Sequence, residues 1–179
     1  MITKKFIDQF DQLVMRIYRF QDSHESISNI KDEIYGFLDQ NYETYLNSNS
    51  QVRKEIRDLV KKHHTSGESP NFLDLFLIGY VQRAAEKIKT TGDKVWLARG
   101  LAVATIEDSL LDQRDSTFSL SYLYVMAEEK DLNPRPEFQA IAEISSDEVS
   151  SGGIISMSEL MKNIPNIARK QYDNCKEFT

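Results

Sequence analysis

The chain has 179 residues, 40% hydrophobic and 28% charged, with a formal net charge of -6. These values describe a globular protein able to bury a core and exclude a disordered chain, and no apolar run approaches the roughly 18 residues of a membrane span. The single cysteine, Cys175, excludes an internal disulfide and a thiolate metal cluster. Asp8, Gln9, Asp11 and Gln12 interrupt the apolar residues of the N-terminal segment, which therefore does not read as a signal peptide, and the expected setting is reducing and cytoplasmic.

Helical periodicity runs through almost the whole sequence. Phe6, Phe10, Leu13, Val14 and Ile17 recur at three- and four-residue steps, which aligns them on one face of a first helix. Ile27, Ile30, Ile34, Phe37, Leu38 and Tyr45 repeat the pattern after the cap-forming Asp22 and Ser23. Val52, Ile56, Leu59 and Val60 mark a third helix after the polar run "NSNSQ". Its charged residues Arg53, Lys54, Arg57, Lys61 and Lys62 read as a solvated basic face, and the adjacent His63 and His64 would point about 100° apart, too far to share a metal.

"HHTSGESPNF" breaks the pattern, with Gly67 suited to a helix exit, Ser69 to a cap and Pro70 to the first position of a new helix. From Phe72 to Val81 only Asp74 and Gly79 are not apolar, so this helix is expected to be central. "TTGDK" ends it and offers Asp93 as the cap of a helix carrying Val95, Trp96, Leu101, Val103 and Ile106. Arg99, on that mostly apolar helix, is a candidate anion contact, although such an arginine more often snorkels or pairs with a carboxylate.

Between two apolar segments lies "IEDSLLDQRD", residues 106–115. In an unbroken helix Asp108, Asp112 and Asp115 would share one face, the layout a hard cation such as magnesium requires. The simpler reading is a wet turn in which Asp115 caps the next helix. That helix carries Phe118, Leu120, Tyr122, Leu123, Val125 and Met126 and, with the one from Pro70, is expected to be the most buried. Asn133 and Pro134 start a short helix with Phe138, Ile141 and Ala142, "SSDEVSSGG" reads as a loop, and "SMSE" is a capping box before a last helix broken at Pro165.

"FLIGYVQRAAE" at 76–86 and "FSLSYLYVMAE" at 118–128 share Phe, Tyr, Ala and Glu in register. Their offset falls in the period of about 40–47 residues of HEAT and armadillo arrays, which stack helical hairpins. The expected fold is therefore all-α, a single compact domain over 1–179 built from antiparallel hairpins, with sub-units at 1–66, 67–145 and 146–179.

Charge is uneven along the chain: residues 107–148 hold eleven Asp and Glu against Arg114, Lys130 and Arg135. Such acidity disfavours nucleic acid, whose affinity comes mainly from neutralised phosphates, and favours a basic protein partner. The expected function is a non-enzymatic interaction module of adaptor, inhibitor or immunity type, with Glu107, Asp108, Asp112, Glu128 and Glu129 meeting the partner. No cofactor is expected. The alternative is a small metal- or phosphate-handling enzyme centred on Asp108, Asp112 and Asp115.

Overall fold

The computed structural model describes residues 2–19, 27–65, 72–106, 113–145 and 155–176. Eight helices run through them: α1 (Ile2–Arg19), α2 (Ile27–Leu46), α3 (Ser50–Thr65), α4 (Phe72–Thr91), α5 (Val95–Ile106), α6 (Gln113–Glu129), α7 (Pro134–Ile144) and α8 (Met157–Lys176). No strand occurs among the described residues, and the fold is all-α. None of these helices is long and apolar enough to cross a membrane.

Several boundaries follow directly from capping chemistry. Asn49 Oδ1 accepts the Val52 N–H at 3.0 Å and starts α3. α4 ends at Gly92, whose φ of +67 is the left-handed conformation that terminates a helix without Cβ strain, and its N–H reaches the Ile88 carbonyl at 2.8 Å. One residue later Asp93 Oδ1 accepts the Val95 N–H at 3.0 Å, so three residues suffice to turn α4 into α5. Ser156 Oγ accepts the Glu159 N–H at 3.2 Å, which makes it the expected cap of α8. Gly67, Ser69 and Pro70, read as the break before α4, lie outside the described residues, as do Asp22 and Ser23 before α2.

α8 does not break at Pro165; it continues to Lys176. Proline there removes one donor to the preceding turn, a local loss. Either side of it Leu160, Met161, Ile164 and Ala168 are buried against the extensively packed α6 and α7, and this tertiary contact holds the helix through the missing bond.

The apolar stripes meet in a continuous cluster. Phe6 and Phe10 of α1 pack on Phe37 of α2 with ring centroids 5.1 and 6.1 Å apart. α4 packs chiefly on α5 and α6, α6 on α8, and α7 on α8 and α5. The two similar segments thus lie side by side, joined by Gln82 Nε2 donating to Ser119 Oγ at 3.2 Å and by the Tyr122 hydroxyl donating to Glu86 Oε1 at 2.9 Å. The α6 and α7 helices touch much less than α4 and α5 do, so the second unit opens where the first closes.

α5 is buried as thoroughly as the described part of α6: Leu97 and every residue from Gly100 to Ile106 are buried. Its small residues explain the central position. A Cβ at Gly100 would lie 2.9 Å from Leu123 Cδ2 and 3.1 Å from Ala84 Cβ, so the absent side chain lets both neighbours close on it. Tyr80 and Leu123, on α4 and α6, are also fully buried.

Candidate functional site

The acidic stretch that stood out in the sequence is only partly described. α5 ends at Ile106 and α6 starts at Gln113, and Glu107, Asp108 and Asp112 lie outside the described residues. Asp115 is the third residue of α6, so the helix begins two residues before the expected cap. No group of three or more His, Cys, Asp or Glu side chains that could hold a metal ion occurs among the described residues.

Glu128 and Glu129 end α6 and are exposed. Both face Arg169 of α8, whose Nη2 lies 3.7 Å from Glu128 Oε1 and whose Nη1 lies 3.3 Å from Glu129 Oε1. The chain then turns through Asp131 and Asn133, both left-handed with φ of 56 and 50, into Pro134 at the start of α7. This turn forms a cleft of about 380 Å³ lined by Tyr124, Glu128, Asp131, Asn133, Pro134 and Arg135. Tyr124 is held by an edge-on contact with Phe138, 5.2 Å between centroids. Burial, and then the Glu128 carboxylate, raise its hydroxyl above the ordinary tyrosine range. Two carboxylates and one guanidinium beside an aromatic and a proline wall suit the stem and head of a cationic side chain.

A second cluster fills the junction of α2, α4 and α5. The Asp39 carboxylate receives Arg83 Nη1 and Nη2, each at 3.3 Å, and the Tyr80 hydroxyl at 2.5 Å. Tyr35 and Tyr80 meet edge-on at 5.4 Å, and the absence of a side chain at Gly79 makes room for the Tyr35 hydroxyl, which a Cβ there would meet at 2.6 Å. The Arg83 guanidinium lies over Tyr35, Tyr80 and Trp96 at 5.3, 5.6 and 4.9 Å. Arg99 lies over Trp96 at 4.5 Å and Tyr42 at 5.3 Å, and Lys87 stands 6.0 Å from Trp96. Burial raises the Tyr35 and Tyr80 hydroxyls, and Asp39, by accepting a hydrogen bond from Tyr80, raises the latter further. Both tyrosines stay protonated over the ordinary pH range, and Tyr80 serves as a donor to Asp39, not as a base.

No protein-family model, curated protein or solved structure matches the chain. Arg99 has no carboxylate of the described residues within ion-pair distance; partly buried, it lies beside the Trp96 and Tyr42 rings. Arg53 and Arg57, expected on the solvated face of α3, are partly buried instead. Arg53 Nη1 donates to the Ser48 carbonyl. Both guanidiniums act on Tyr45, whose buried hydroxyl lies 2.8 Å from Thr105 Oγ1 and is raised by that burial. Sequence alone could not join Asp39, Arg83 and Trp96, because they come from three helices; the one available signal was two arginines interrupting otherwise apolar faces of α4 and α5.

Proposed function

We propose that the protein is a non-enzymatic interaction module, of the adaptor, inhibitor or immunity type, that receives a basic segment of a partner protein on the acidic corner between α6 and α7. The observation that carries this reading is the cleft in which Glu128 and Asp131 stand beside Tyr124 and Pro134, with Glu129, next to Glu128 in the chain, exposed as well. Arg169 occupies the outer carboxylates as a cation from the protein itself, half-exposed in both of its ion pairs. Exposed pairs of that kind contribute about 0–1 kcal/mol, so a partner's lysine or arginine can displace it at little cost. Acidic Glu107, Asp108 and Asp112 precede α6 in the chain and belong to the same acidic stretch.

The test is retention of proteins from the source cell on wild type and on Glu128→Lys/Asp131→Lys, both shown folded by circular dichroism. Wild type should retain a basic partner that elutes as salt is raised through the range where the Debye length falls to a few ångströms, and the double variant should lose it. Identical retention by the two proteins removes the acidic corner from the interaction.

A further inference from the structure

The geometry points to a phosphate-binding site at the α2/α4/α5 junction, on Arg99 and Lys87 beside Trp96. Three cationic groups surround this one indole, with Arg99 at 4.5 Å, Arg83 at 4.9 Å and Lys87 at 6.0 Å. Asp39 neutralises Arg83 through both of its oxygens. Neither Arg99 nor Lys87 has a carboxylate within ion-pair distance among the described residues. The Arg99 Nε is buried and without an acceptor there, so this guanidinium has already lost part of its hydration. A charge in that state interacts more strongly with an incoming anion than a fully hydrated one.

The site is built rather than incidental. Trp96 and Tyr42 both flank the Arg99 guanidinium, 4.5 and 5.3 Å from their ring centroids, and contact with two rings restricts the side chain and lowers the entropy lost when an oxyanion is bound. Lys87 is exposed and free to swing toward the same anion. Asp39 on Arg83, and Glu43 on the Tyr42 hydroxyl at 3.1 Å, stand against the three cations, and in the positive field that remains a phosphate monoester, with about -1.5 to -2 at neutral pH, gains more than a singly charged carboxylate does. The acidic overall charge makes this local concentration of cations more selective, since it does not attract polyanions over the rest of the surface.

Trp96 is the only tryptophan of the chain and reports the site directly. Its fluorescence is titrated with inorganic phosphate, and in a second arm with O-phosphoserine, against chloride at constant ionic strength. Wild type should show a saturable change with both, and the tighter of the two identifies a free or a protein-borne phosphate as the ligand. Arg99→Gln should weaken binding by about tenfold or more, the size of a lost charge-assisted contact, and the exposed Lys87→Gln by a few-fold. Arg169→Gln, on α8, should leave it unchanged. A wild-type signal that does not saturate overturns the site, and so does undiminished binding in Lys87→Gln and Arg99→Gln. Lys87→Gln keeps the test decisive should Arg99→Gln not fold.

Discussion

Tyr122 shows how one side chain joins two helices and sets a pH response. Its hydroxyl donates to Glu86 of α4, while its ring meets Tyr172 of α8 edge-on at 5.8 Å. Burial, followed by the Glu86 hydrogen bond, pushes its pKa from the ordinary 10.0 up to about 12. The unfolded chain therefore releases this proton at lower pH than the folded protein does. The stabilising contribution is fully present below pH 10.0 and is lost as pH rises toward about 12. Thermal melts across that window should show a steeper alkaline loss of stability in wild type than in Tyr122→Phe, which has no proton to lose there. Parallel alkaline curves would mean that the hydroxyl is not held by Glu86. Tyr80, more buried and bonded to Asp39, ionises later still.

Within the helices, glycine has opposite meanings at different positions. Gly36 on α2 has nothing within 4 Å of where a Cβ would stand, so Gly36→Ala should stabilise the protein by about 0.5–1 kcal/mol by lowering the entropy of the unfolded chain. Gly100 on α5 is pressed between Leu123 and Ala84. Gly100→Val should cost about 2–3 kcal/mol through overpacking, because the Ala84 Cβ has no flexible end to move aside. Chemical denaturation of the two variants checks the pair, and a Gly100→Val midpoint equal to wild type would show that α5 does not pack as closely as its neighbours require. The contrast has one cause: α2 turns this residue toward an open groove, where it lines a cavity of about 450 Å³ with Gln9, Gln12, Gln40 and Asn41, whereas α5 lies in the middle of the bundle.

At the scale of the molecule, two groups of charged side chains stand out, Glu128, Glu129 and Asp131 around the α6–α7 turn and the cationic–aromatic junction at α2/α4/α5. Arg169 connects the first to α8 from a half-exposed position. Arg169→Gln should change stability by less than about 1 kcal/mol, since exposed ion pairs are screened, yet strengthen binding of a lysine-rich peptide at low salt by leaving Glu128 and Glu129 uncompensated. Calorimetric titration beside a thermal melt separates the two effects. A large loss of stability would make Arg169 a strut between α6 and α8, not a placeholder.

Periodicity and caps in the sequence determined that the chain is helical and where several helices stop. Phe6, Phe10 and Val14 at helical steps could bury only one face, and Gly92, Asp93 and Ser156 act through neighbours within a few residues. The acidity of residues 107–148 was equally legible, being a matter of composition. Tertiary structure decided everything that depends on which face meets which. It made α5 the central helix, because Gly100 admits Leu123, a contact that hydrophobicity does not encode. It carried α8 through Pro165 by packing on both sides, overriding a local rule. It turned Arg53 and Arg57 inward onto Tyr45, and it gathered Asp39, Arg83, Trp96 and Arg99 from three helices. A helical pattern specifies a stripe and its hydropathy but leaves the partner of that stripe open. Long side chains such as arginine and tyrosine find their partners only once the backbones that carry them have been brought together.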